Sequence, residues 1–96
     1  MQEIIAEQTY YKMERRISSV DQIDIEHERT LYLYNDRIIS KHREFSIQEI
    51  MDVSYRKLGQ EGGLLYLHTK RGVFSYTVKS SPDNFVERCK EFIKRR

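Results

Sequence analysis

The chain has 96 residues, of which 39% are hydrophobic and 33% charged, with a formal net charge of +2. That size supports a single hydrophobic core without a metal or a disulfide framework, and no apolar run approaches the roughly 20 residues of a membrane-spanning helix. The one cysteine excludes an intrachain disulfide. Together with a start, Met1-Gln2-Glu3-Ile4-Ile5, that lacks the basic segment and long apolar core of a secretory signal, this makes a reducing cytoplasm the expected location.

Charge is unevenly distributed along the sequence. Residues 1–36 carry four Lys or Arg against eight Asp or Glu, and residues 37–96 carry thirteen against seven. The cations are too diluted by acids to argue for nucleic acid on charge alone, and nucleic acid is not the expected partner.

Ile4, Ile5, Ala6, Glu7 and Gln8 tolerate a helix whereas Thr9, Tyr10 and Tyr11 favour a strand, so residues 3–18 leave both open at their start. From Tyr11, the alternation of Tyr11, Met13, Arg15 and Ile17 with Tyr10, Lys12, Glu14 and Arg16 has the period of a half-buried first strand. Ser18-Ser19 and Asp21-Gln22 break it, and Ile23 with Ile25 marks a short second strand. Thr30 to Tyr34, the turn signal Asn35-Asp36, and Arg37 to His42 predict a hairpin. Ser46-Ile47-Gln48-Glu49 has capping-box spacing, which predicts one helical turn before a strand from Met51 to Lys57 in which Met51, Val53 and Tyr55 share a face. Gly59, Gly62 and Gly63 punctuate a connection suited to positive φ. They do not form a phosphate-cradling loop, because no Lys-Ser/Thr follows and the next segment is a strand.

Leu64 to Thr69 and Val73 to Lys79 flank Lys70-Arg71-Gly72 and predict a last hairpin with apolar residues on both faces. Ser81 to Arg96 then has the pattern of one amphipathic helix. Ser81 is placed as N-cap, Pro82 follows at the first helical position, and Lys94, Arg95 and Arg96 lie at the negative end of the dipole. Phe85, Cys89, Phe92 and Ile93 recur on one helical face and are the expected core anchors. The sum is a mainly β chain of up to seven antiparallel strands closed into a barrel or sandwich, with one C-terminal helix as its cap.

The placement of Phe45-Ser46-Ile47-Gln48-Glu49-Ile50-Met51-Asp52-Val53, and of the last hairpin running through Ser80-Ser81-Pro82 into a helix with Phe85, resembles the pleckstrin-homology-like superfold across nearly all of the chain. The resemblance is to the small standalone bacterial domains of that superfold. It implies two nearly orthogonal sheets with the helix capping one end. In the phosphoinositide-binding branch a basic motif runs through the first two strands. Here Lys12, Arg15 and Arg16 precede the first turn, but Asp24, Glu26 and Glu28 stand where the motif has cations, and the branch's C-terminal tryptophan is absent. If the loop arrangement implied by the resemblance holds, Arg15, Arg16, Arg37, Lys70 and Arg71 gather at the barrel end opposite the helix, where they could attract an anionic membrane surface or an acidic peptide.

Signals for chemistry are scarce. His27, His42 and His68 fall on separate elements without ligand spacing to Cys89, so no metal or other cofactor is expected. Cys89 sits on the apolar helix face, where a small buried residue is expected rather than a nucleophile. No pair of carboxylates stands in an apolar setting that would separate acid from base. Seven tyrosines fall in or beside strands, more than a small barrel can bury along with its phenylalanines. The expectation is a non-catalytic binding module that contacts a protein partner or another copy of itself through a Tyr-rich sheet face. Peripheral binding to anionic lipid headgroups is the alternative.

Overall fold

The structure is a computed structural model that describes residues 3–60 and 62–95. Arg96, expected to add charge at the helix end, lies outside the described residues, as do Met1 and Gln2 at the start of the chain.

Seven antiparallel strands form one sheet in the order β4-β3-β2-β1-β7-β6-β5. They are β1 Ala6–Ile17, β2 Gln22–Leu33, β3 Arg37–Ile39, β4 Glu44–Ser46, β5 Ile50–Lys57, β6 Gly63–Thr69 and β7 Gly72–Val78, followed by the helix α1, Asp83–Arg95. The edges β4 and β5 are not ladder partners, so the sheet is open. It folds over a core that includes Leu31, Ile38, Phe45, Val53, Leu67 and Phe85.

The expected short second strand and the following strand from Thr30 are one continuous element. β2 pairs with β1 over its whole length, from Ala6↔Leu33 to Ile17↔Gln22. His27, Glu28 and Arg29 carry no turn chemistry, and twelve successive cross-strand rungs outweigh their low strand propensity. Twelve residues at about 3.3 Å each make a ribbon of about 40 Å, which explains dimensions of 53 × 30 × 26 Å.

In the opposite sense, the expected strand Arg37 to His42 is cut short. Ser40 N donates to the Arg43 carbonyl at 2.8 Å and Arg43 N donates to Ser40 Oγ at 3.1 Å, turning the chain back into β4. The capping box at Ser46 and Glu49 is present, around a 3-10 turn over Ile47–Glu49. The start of β5 departs from simple alternation: its register shifts between Ile50 and Asp52, which buries Ile50 and Val53 and expels Met51 to solvent. The extra residue of a bulge reverses which side the preceding side chain faces.

α1 begins one residue later than its sequence pattern. Val86 N donates to the Pro82 carbonyl at 2.9 Å, so Pro82 takes the position expected for Ser81, and burial of the Pro82 ring fixes the entry. The helix packs against β5, β1 and the 3-10 turn. Phe85 and Cys89 are fully buried, while Phe92 and Ile93 lie at the rim as partly buried neighbours.

Burial pushes the Cys89 thiol up to about 12. The protonated thiol is not a nucleophile. At pH 8 an aromatic disulfide reagent is expected to leave the native protein unmodified and to label Cys89 only along the denaturant unfolding transition; labelling within minutes in native buffer would show that α1 opens by itself.

Candidate binding cleft between β1, β7 and the β3–β4 turn

Strand alternation and register build the candidate site. On β1, Tyr10 and Lys12 point to the same side, opposite Arg29 and His27 of β2. Tyr10 is buried and its ring meets that of Tyr76 edge-on, with centroids 4.9 Å apart. The Lys41 amide donates to the Tyr10 hydroxyl oxygen at 3.3 Å, which holds the β3–β4 turn against β1. On that turn, the Arg43 guanidinium lies 4.6 Å from the centre of the Phe74 ring, a contact that fixes the cation without neutralising it.

These elements enclose a cleft of about 450 Å³, lined among others by Lys12, Arg29, His42, Arg43, Ser75 and Tyr76. No carboxylate is among its lining residues. Lys12, Arg29 and Arg43 take part in no ion pair among the described residues. Burial holds the Tyr76 hydroxyl above its usual titration range, against a hydrogen bond from Ser40 and the charge of Arg43, so Tyr76 is a neutral phenol. The cleft offers three uncompensated cations and several hydroxyls, which suits a group with two or more negative oxygens.

A larger groove of about 740 Å³ runs along Asp36, Arg37, Glu44, Glu49, Arg71 and Arg95. Its charges are balanced. Arg37 Nη1 donates to Asp36 at 2.9 Å and Arg37 Nε lies 3.0 Å from Glu44. Arg71 Nη2 donates to Glu49 at 2.9 Å. An anion entering there would have to displace carboxylates already in place, so the smaller cleft is the better anion site despite its size.

The five cations expected from the sequence do not gather at one end. Arg37 and Arg71 come together, but beside Arg95 of α1 rather than opposite the helix. Lys70 occupies the exposed β6–β7 turn. Arg15 and Arg16 lie far along β1, where Arg15 donates to Asp24 at 3.2 Å and Arg16 Nε is 3.5 Å from Glu14. The residues that do converge, Lys12, Arg29, His42 and Arg43, come from three segments whose meeting depends on the β1–β2 register and on the turn at Ser40. Periodicity along a single segment carries no signal for either.

The tyrosines also divide. Tyr10 and Tyr76 are core residues and Tyr55 packs against the core, whereas Tyr11 on β1, Tyr32 on β2 and Tyr66 on β6 are half-buried on the outer face of the sheet, away from the core, with Tyr34 just past the end of β2.

Two histidine pairs have the spacing that acid-base chemistry uses. Ser54 Oγ and His68 Nε2 are 2.8 Å apart, but they stand on the outer face of two paired strands, and no carboxylate is hydrogen-bonded to that imidazole among the described residues. His27 Nε2 and Glu14 Oε1 are also 2.8 Å apart. The imidazole, and then the Arg16 charge, hold the Glu14 carboxyl below the usual carboxylate range. A depressed carboxylate suits an ion pair rather than a general acid. No cluster of three or more His, Cys, Asp or Glu suited to a metal occurs among the described residues, and none of their helices is long and apolar enough to cross a membrane.

Comparison with known protein families and with curated proteins finds no match to this sequence.

Proposed function

We propose that the chain is a non-catalytic binding module of pleckstrin-homology-like architecture, in which the cleft between β1, β7 and the β3–β4 turn receives a multiply charged anionic group such as a phosphorylated headgroup. The observation that carries this reading is the convergence of Lys12, Arg29 and Arg43 in a cleft without a carboxylate. Two antiparallel meanders, β1 to β4 and β5 to β7, with a C-terminal helix packed on them, support the architectural part. Charge-assisted hydrogen bonds to such cations are about twice as strong as neutral ones. Three of them make binding steeply salt-dependent, because the sites are partly open to solvent.

The test uses vesicles of phosphatidylcholine with and without phosphatidylserine, and inositol hexakisphosphate and inorganic phosphate as soluble probes. Binding of at least one probe is expected, weakened at least tenfold by Arg29→Gln with Arg43→Gln and unchanged by Arg15→Gln with Lys70→Gln. Retention on serine-containing vesicles alone would assign a membrane surface, and retention of the soluble probes alone a free phosphorylated ligand. Binding that is indifferent to the Arg29 and Arg43 changes, or absent for every probe, would remove the proposal.

A companion reading is contact with a protein or with a second copy of the chain. The observation favouring it is the apolar exposure of the far β1–β2 ribbon, where Met13, Ile17, Val20 and Ile23 are 58, 76, 86 and 55% exposed.

A further inference from the structure

The hairpin of β1 and β2 extends beyond the rest of the sheet. β7 meets β1 at a single rung, Tyr11↔Thr77, and β3 meets β2 only at Tyr32 and Leu33. Residues 12–17 of β1 and 22–31 of β2 accordingly form a ribbon with two free edges. A lone two-stranded ribbon is marginal in water, and a free edge is a template for another strand.

The two edges differ in what they can accept. β2 carries Asp24, Glu26 and Glu28 in close succession, so pairing this edge with its own copy sets carboxylate against carboxylate. On β1, Lys12, Glu14 and Arg16 alternate in sign along one face, and Met13, Arg15 and Ile17 occupy the other.

We propose that a second copy of the chain covers the free β1 edge, antiparallel, about a two-fold axis at Arg15. The proposal rests on the companion reading above and names its partner. In a strand paired with its own copy, opposing residues are equidistant from the axis and share a face. An axis at Arg15 sets Glu14 against Arg16 of the second copy, twice, and Met13 against Ile17, also twice. The two Arg15 side chains meet at the axis, each already bonded to its own Asp24. An axis at Glu14 would oppose Glu14 to Glu14 and Lys12 to Arg16. An axis at Met13 would need the edge at Tyr11, which Thr77 occupies. Charge and free length thus select one register. The contact continues the sheet across the axis and covers Met13 and Ile17.

Sedimentation velocity on the full chain from low to high micromolar concentration tests this. The unaltered protein should dimerise. Glu14→Arg and Arg16→Glu should each weaken the dimer at least tenfold, and an equimolar mixture of the two variants should restore it, because every Glu then again faces an Arg across the axis. Both variants lose the same intrachain contact between positions 14 and 16, so a general loss of fold cannot account for rescue on mixing; circular dichroism of each variant confirms that it is folded. A protein that stays monomeric would overturn self-association altogether. A dimer that both single variants preserve, or a mixture that fails to re-form it, would overturn the β1 register and leave self-association through another surface. A mass that climbs past two copies would replace the closed contact with open-ended stacking of β1 on β2.

Discussion

Phe85→Ala is expected to lower the unfolding free energy by about 3–5 kcal/mol, the range for removing a fully buried phenylalanine. Phe85 is 1% exposed and is the first large anchor of α1. It belongs to a core built mainly from strand residues and α1 packs on both β5 and β1, so the space it leaves cannot close by a shift of one element. Phe92→Ala should cost about 1–2 kcal/mol, since that ring sits at the rim, with Arg95 5.4 Å from its centre. Urea denaturation followed by far-ultraviolet circular dichroism measures both. A loss below about 1 kcal/mol for Phe85 would mean that α1 docks too weakly to belong to the cooperative unit, and the domain would have to be redrawn as a sheet with a detachable helix.

Gly62→Ala should be nearly as damaging, for a different reason. Gly62 has φ +89°, and a Cβ there would lie 2.3 Å from the Val78 carbonyl oxygen and 2.9 Å from Lys79 Cα. Both obstacles are backbone, so no rotamer change relieves them. Backbone strain of about 1–2 kcal/mol adds to an overpacking cost of about 1–3 kcal/mol. Gly59→Ala is the control: its φ is +68°, but a Cβ would meet nothing within 4 Å, so only the conformational cost of about 1 kcal/mol applies. A Gly62→Ala protein no less stable than Gly59→Ala, by the same urea measurement, would show that β5 and β6 can separate from the end of β7 without penalty.

The sequence was informative wherever a local rule decided the outcome. The Ser46 and Glu49 capping box, the Asn35-Asp36 turn, and the apolar stripe of Phe85 and Cys89 each depend on residues a few positions apart, and each is present. Misreadings arose where a distant partner decided. The length of β2 follows from its pairing with β1, which extends a strand through His27 and Glu28. The exposure of Met51 follows from a bulge against β6. Loop position alone would group the five cations Arg15, Arg16, Arg37, Lys70 and Arg71, but ion pairs and strand length set where they lie. Lys12, Arg29 and Arg43 become a group only once β1, β2 and the Ser40 turn are placed together, and that is a property of register.

The single rung between Tyr11 and Thr77 also governs how the chain can acquire its structure. Every other pairing in the order β4-β3-β2-β1-β7-β6-β5 joins strands that are neighbours in the chain, so each closes a short loop at small entropic cost. The expense of bringing remote segments together is concentrated in one seam, which becomes available only after β7 exists. Folding speed in small domains falls as sequence separation between contacting residues grows. For this chain that separation resides in the docking of two locally assembled meanders rather than in the meanders themselves.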